Sequence, residues 1–294
     1  MWVKTVASGN YSAMIFLRID MKIISVVGYK KTGKTTLVEK LVRALKNHGS
    51  VGTIKHLHEH NINNPDTDTW KHASAGADVV IAVTQNELVK FSHENNLMKA
   101  LDELADTGVD FGVIEGFKDS KLPKIALGNV MAINILKRLN EPESADIEDI
   151  INIILEQPEY HTLNSLLAKI RRSKDIDKSG AIGTFTGIVR ATEKETRTEF
   201  LEFEEYSKVA RQKMDEICTE LKQKDGIIDV LMHHKTGIIL KGEDIVYIVV
   251  AAAHREQLFP VLREAIERLK AQVPIWKKEH TQNGEFWVHD MNKI

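Results

Sequence analysis

One stretch constrains this chain more than any other: Gly28-Tyr-Lys-Lys-Thr-Gly33-Lys34-Thr35, which fits GxxxxGK[ST]. It stands between two segments of different period. Residues 22–27 form a short apolar run closed by Gly28, which predicts a buried strand. Leu37, Val38, Leu41, Val42 and Leu45 recur at helical spacing, and Gly49 ends that helix. In such a strand–loop–helix unit the glycines let the backbone N–H groups turn inward on phosphate oxygens. The helix N-terminus adds a favourable dipole, the lysine a point charge, and the hydroxyl a ligand for Mg²⁺. The expected nucleotide-binding residues are therefore Gly28, Lys31, Thr32, Gly33, Lys34, Thr35 and Thr36. No NKxD-type motif accompanies the loop, so it implies a nucleotide without naming its base.

The rest of the first half alternates in the same way. Strands are expected at Val51–Lys55, 78–83 and 109–115, with a helix carrying Leu97, Ala100, Leu101 and Leu104. Alternation of this kind implies an α/β domain with a mostly parallel sheet covered on both faces. Glu115 ends the apolar run VDFGVI, where an acidic residue serves either as a second Mg²⁺ ligand beside Thr35 or as a capping carboxylate. His56, His58 and His60 alternate and would share one face of a strand. That pattern suits a transition-metal site, or a solvated, nucleotide-facing strand end.

A chain of 294 residues is long for one domain. The acidic stretch NEPESADIED, residues 140–149, precedes a closing helix at Ile147–Leu155, and the composition then turns polar and basic through residue 179. The junction is placed near Gln157, giving an N-terminal extension (1–20), a nucleotide-binding domain (21–157) and a second domain (158–294). The second domain reads as α+β. It has strands near 181–190, 199–205, 227–233 and Asp244–Ala252, and helices at Ser207–Lys222 and near 256–272. A net charge of -2 argues against nucleic-acid binding, and the apolar stretch near the start is too short to span a membrane. The single cysteine, Cys218, excludes an internal disulfide and any CxxC motif and fits a cytoplasmic protein.

With neither a metal-ligand cluster nor a nucleophile triad, the chemistry of the second domain falls to its cations: Arg190, His254, Arg255, Lys270 and Lys277. Arg190 ends the strand GTFTGIVR, and His254-Arg255 opens the last helix directly after a strand. Lys270 flanks that helix's apolar stripe, and Lys277 follows the Pro274 break. The plain alternative is a set of surface cations with solvated heads.

The wording of both halves narrows the choice. Ile54-Lys-His-Leu-His-Glu-His60, Asp66-Thr-Asp-Thr69, His72, Ala75-Gly-Ala77 and Val113-Ile-Glu-Gly-Phe-Lys118 resemble the MobB family of P-loop proteins. That resemblance implies Mg²⁺-GTP binding, weak hydrolysis, and an adaptor role toward the MobA-type guanylyltransferase that makes the dinucleotide form of the molybdenum cofactor. Residues 180–190, Leu201-Glu-Phe-Glu-Glu-Tyr206, Ala252-Ala-His-Arg255 and residues 269–279 resemble MoaE, the large subunit of molybdopterin synthase.

The second resemblance implies sulfur transfer to cyclic pyranopterin monophosphate from the thiocarboxylate of a small ubiquitin-like MoaD-type partner. It also implies a homodimer and no tightly bound cofactor. Lys270 and Lys277 are then the catalytic candidates, Arg190, His254 and Arg255 the ligands of anionic substrate groups, and Cys218 a core residue. Molybdenum and tungsten remain equally open as the final metal. The competing reading is a GTP-dependent adaptor whose second domain only docks the sulfur carrier.

Overall fold

The structure, a computed structural model, describes residues 21–57, 62–193, 196–205, 207–282 and 284–288. The first half begins with β1 (Met21–Val27), α1 (Lys34–Leu45), β2 (Val51–Lys55), α2 (Asp68–Ser74), β3 (Val79–Val83) and β4 (Leu88–Ser92). It continues with α3 (Leu97–Asp106), β5 (Phe111–Glu115), β6 (Lys124–Leu127), β7 (Ile135–Leu139), a 3-10 turn at Pro142–Ser144 and α4 (Ile147–Leu155). Strands β2, β5, β1, β6 and β7 lie side by side in that order, and each neighbouring pair is parallel.

Buried along its whole length, β1 sends alternate side chains to opposite faces of the sheet. Ile24 and Val26 pack with Leu37 and Leu41 of α1 and Ile150 and Ile154 of α4, whereas Met21 and Ile23 pack with Leu101 and Ala105 of α3. The expected α/β architecture is present, with one correction. Residues 78–83 do not enter the parallel sheet; β3 pairs antiparallel with β4 in a separate hairpin. Only Val80 of β3 is buried, while Val79, Ile81 and Val83 are exposed. A short apolar run has the same period in either setting, so it carries no information about which sheet takes it. Strands β6 and β7 escape sequence reading because they are short and carry Lys124, Lys137 and Arg138. Lys124 is fully buried at the head of β6, donating to the Leu122 carbonyl at 2.8 Å and to that of Ser120, and burial draws its ammonium below the usual value.

The second half runs β8 (Glu159–Tyr160), α5 (Leu163–Arg171), a 3-10 turn at Ile176–Lys178, β9 (Ala181–Ile188), β10 (Thr192–Glu193), β11 (Thr196–Glu205) and α6 (Ser207–Lys222). There follow β12 (Ile227–His234), β13 (Gly237–Leu240), β14 (Asp244–Ala252), α7 (Arg255–Gln272), β15 (Ile275–Thr281) and β16 (Gly284–Val288). One antiparallel sheet has the order β12-β14-β9; another has the order β10-β11-β15-β16, with β13 also on β11. Strand β14 repeats the logic of β1. Its Val246, Ile248 and Val250 face α6 and α7, and its Tyr247, Val249 and Ala251 face Leu166 and Ile170 of α5.

Helix α5 was hidden in the polar, basic stretch. Its start is a capping box in which Thr162 and Ser165 satisfy each other's backbone N–H groups. The two halves meet along a hydrogen-bonded seam: β8 pairs antiparallel with the start of β1, Tyr160 donates to Asp102 at 2.6 Å, and Arg172 donates to the Thr107 carbonyl at 2.6 Å.

Near the seam the ring of His161 lies 4.0 Å from that of His233. Next to it His234, 8% exposed, donates from Nδ1 to the Lys235 carbonyl at 2.7 Å. Burial lowers the His234 imidazole from 6.5 to about 4 and holds His233 well below its ordinary value. The unfolded chain therefore takes up these protons before the folded one does, and stability falls as pH drops from 6.5 to about 4. His234 alone accounts for about 3 kcal/mol across that window. Thermal melts over the window should show a steep acid-side loss that His234→Gln makes shallower. Equal slopes in the two proteins would refute the assignment.

Candidate functional site

The turn from β1 into α1 is shaped by two glycines with no room for a side chain. A Cβ on Gly28 would lie 2.5 Å from Thr32 Oγ1 and 3.1 Å from the Leu127 carbonyl oxygen. Gly33 has φ +84°, and a Cβ there would lie 2.5 Å from Pro142 Cγ. Lys31 also has positive φ. The Lys34 ammonium folds over its own loop, donating to the carbonyls of Gly28 at 3.0 Å and Tyr29 at 2.6 Å. Burial draws it below the usual lysine value; Glu115 opposes that shift and Lys55 adds to it.

At the end of β5, Glu115 is buried, and both of its carboxylate oxygens accept from Thr35 Oγ1 at 3.1 Å. Lys55, at the end of the neighbouring β2, pairs with Glu115 at 3.2 Å and reaches Thr35 Oγ1 at 3.3 Å. The structure thus brings Gly28, Lys31, Thr32, Gly33, Lys34, Thr35, Thr36 and Glu115 to one edge of the sheet, at the carboxyl ends of β1 and β5. This is where parallel sheets hold their ligands. A hydroxyl and a carboxylate are hard oxygen donors of the kind Mg²⁺ takes alongside substrate phosphates, so the residues present fit that ion.

Sequence reasoning missed Lys55 and Pro142. The first hides inside the histidine-rich motif and the second inside an acidic tract. Beside Glu115, Gly116 and Phe117 both adopt positive φ, and the His56 ring stacks on Phe117 with centroids 4.2 Å apart. His58 and His60 lie outside the described residues.

The cations of the second half divide into two groups. Val189, just before Arg190, shares an apolar cluster with Phe203 and Ile275. Lys277 sits opposite Phe203 across the β11–β15 pair, and Lys270 is in the last turn of α7, close in sequence to β15. Arg190, Lys270 and Lys277 are thus anchored around one end of the domain. His254 and Arg255 are at the other end of α7; at 1.5 Å per residue, Arg255 and Lys270 are separated by about 22 Å along the axis. Arg255 pairs with Glu256 at 3.1 Å. One copy of the chain therefore does not gather all five cations into one pocket, because an uninterrupted helix keeps them apart. Cys218 packs against the core cluster that also holds Ile217, Leu221 and Leu258.

The loop, sheet and second domain define a P-loop nucleotide-binding unit joined to an α+β unit with a cationic end. Residues 23–154 match the family model for molybdopterin guanine dinucleotide synthesis protein B, MobB, and residues 158–272 match the model for MoaE protein. A probable molybdopterin synthase of Haloferax volcanii is 36% identical over 273 residues, covering 92% of this chain and 100% of that protein. A molybdopterin synthase catalytic subunit of Halalkalibacterium halodurans is 40% identical over 112 residues, 38% of this chain and 72% of its own. A putative molybdopterin-guanine dinucleotide biosynthesis adapter protein of Methanocaldococcus jannaschii is 30% identical over 154 residues, 49% of this chain and 65% of its own. The chain belongs to the family of MobB–MoaE fusion proteins of molybdenum-cofactor biosynthesis. Among the described residues no helix is long and apolar enough to cross a membrane.

Two substitutions test the loop. Lys34→Ala removes its point charge, and Gly33→Ala forces a side chain into Pro142 at a left-handed φ. Lys34→Ala should weaken nucleotide binding by about 10- to 100-fold, the worth of a charge-assisted contact, and Gly33→Ala should weaken it by distorting the loop. Titration calorimetry with GTP and ATP measures it, and unchanged affinity in Lys34→Ala would remove the loop from the site.

Proposed function

We propose that this chain is a cytoplasmic molybdopterin synthase catalytic subunit carrying its own GTP-binding adaptor, with residues 21–157 and 158–294 as the two working units. The observation that most supports this is the similarity to a probable molybdopterin synthase across both halves of the chain. In the second unit, two thiocarboxylated MoaD-type partners in turn each give one sulfur to cyclic pyranopterin monophosphate and leave as carboxylates after water cleaves the acyl–sulfur bond, the two sulfurs forming the dithiolene of molybdopterin. Lys270 holds and moves the proton that the reaction requires, and Lys277 assists it in orienting the substrate. Arg190 binds an anionic group at the same end. His254 and Arg255 join from a second copy, since their own Lys270 is about 22 Å away along the helix. The sulfur arrives on the partner, which leaves Cys218 to its packing role.

In the first unit, the backbone N–H groups of the loop and Lys34 hold the phosphates of GTP. Mg²⁺, when bound through Thr35 and Glu115, supplies charge neutralisation on the terminal phosphates and supports slow hydrolysis. The unit then serves the MobA-type guanylyltransferase that converts molybdopterin into its guanine dinucleotide form.

The assay is direct: thiocarboxylated small subunit and pyranopterin are incubated with the chain, and molybdopterin is measured. Lys270→Ala should cut the rate by about 10²–10⁴-fold while leaving binding of the small subunit nearly unchanged. Lys277→Ala should be milder, Arg190→Ala should chiefly raise KM, and Cys218→Ser should retain activity. A fully active Lys270→Ala, or an inactive but folded Cys218→Ser, would overturn the mechanism.

The division into units has its own test. Residues 158–294 contain the clusters around β14 and around Leu201 and Phe203, so produced alone they should melt cooperatively. An aggregated fragment from a well-behaved full chain would show that the seam with β1 is required for folding.

A further inference from the structure

A nucleotide held on this loop can extend in only one direction. Thr35 and Glu115 lie on the β5 side of the loop, so a metal and the terminal phosphates would be held there. On that side the space beyond β5 is taken by Lys55 and by His56 stacked on Phe117. The nucleoside must therefore run across the carboxyl ends of β6 and β7. Both ends touch the loop: the Leu127 carbonyl closing β6 lies under Gly28, and Pro142, three residues past β7, lies against Gly33.

The segment after β7 is held rigidly. Pro142 is buried, its carbonyl accepts from Lys40 of α1 at 2.9 Å, and the Glu141 carbonyl accepts from Ser144 Oγ at 2.9 Å. Asp146 caps α4 at 3.1 Å, and α4 is packed on α1 by Ile150 and Ile154. The backbone of this segment is thus fixed from both ends. By contrast the Asn140 and Glu141 side chains, the first beyond the strand, are exposed, and among the described residues neither has a hydrogen-bond or ion-pair partner.

We propose that Glu141 reads the base of the P-loop site, its carboxylate accepting the N1–H and 2-amino N–H of guanine, with the Asn140 amide donating to O6. This rests on the reading of the loop as a nucleotide site. The chemistry is a match of donors to acceptors: a carboxylate only accepts, and guanine presents two adjacent donors on one edge. Adenine presents an acceptor there and no 2-amino group, so the carboxylate would face a lone pair. Guanine selectivity is then obtained without an NKxD motif. Glu143, which lies beyond Pro142 and leads into α4, has no part in it.

Affinities of GDP, IDP, XDP and ADP for the full chain with Mg²⁺ test the assignment. Wild type should prefer GDP to IDP, which lacks the 2-amino group, by about 10-fold, and to ADP and XDP by about 100-fold. Glu141→Gln should lose about 100-fold for GDP and bind XDP better than wild type does, because an amide N–H meets the 2-oxo group of xanthine. The gain for XDP cannot come from a misfolded protein. Glu143→Gln should match wild type. Equal affinity for GDP and ADP, an unchanged profile in Glu141→Gln, or the same switch in Glu143→Gln would overturn the role of Glu141 while leaving the loop a nucleotide site. Failure of wild type to bind any of the four would overturn both.

Discussion

The burial of β1 on both faces is the constraint from which the first half follows. A strand with Ile24 and Val26 in one cluster and Met21 and Ile23 in another cannot slip by one residue without exchanging the two sets. Its register with β5 and β6 is thereby fixed, and the loop leaves the sheet at one height only. Glu115 then meets Thr35, and the close approach of Leu127 and Pro142 leaves room for nothing larger than glycine at positions 28 and 33. A phosphate cradle needs backbone groups aimed to within a few tenths of an ångström. Here the aim is set by the apolar packing of β1, outside the loop itself.

What the sequence disclosed divides along the same line. Long periodic elements were legible: α4, α6 and β14 have the bounds their patterns imply, and α7 starts one residue earlier than expected. The strand–loop–helix of the P-loop was legible because its spacing is itself the chemistry. Elements whose identity depends on distant partners were not. Strand β3 is an apolar run of the kind a buried sheet strand carries but pairs only with β4. Strands β15 and β16 lie in a lysine- and aromatic-rich tail whose pattern is half exposed. The site shows the same contrast. Thr35 and Glu115 could be paired from motif position, whereas Lys55 and Pro142 enter through sheet order and a loop crossing, neither of which leaves a local pattern.

In the proposed function the two halves handle anions by different means. In the first, partial charges of fixed backbone groups do most of the work, so a short motif encodes the site nearly whole. In the second, side-chain cations on separate elements must converge, and their separation is decided by helix length and assembly. Sequence order put His254, Arg255, Lys270 and Lys277 within a few dozen residues of one another. Eighteen residues of continuous helix then carry the first two away from the last two. Proximity along the chain is a poor guide to a site whenever a helix intervenes.

The seam between the halves is polar, which bears on what a fusion of this kind gains. Glu159 stands at its centre, within 3.7 Å of Lys22, 3.3 Å of Arg211 and 3.5 Å of His161, so that one carboxylate links β1, β8 and α6. Burial alone would raise its value, yet the bond from His161 and the charges of Arg211, His161 and Lys22 hold it below the ordinary carboxylate range. Buried ion pairs of this kind give little net stability, because desolvation offsets most of the Coulomb gain. Their effect is on geometry. A flexible tether would let the two sites tumble independently, at an effective concentration set by linker length. A two-residue strand hydrogen-bonded to β1 and flanked by the Tyr160–Asp102 and Arg172–Thr107 contacts instead gives the P-loop sheet and the cationic domain a defined mutual orientation. The polar composition of the junction, which in sequence marks only a domain boundary, is the composition such an orienting seam requires.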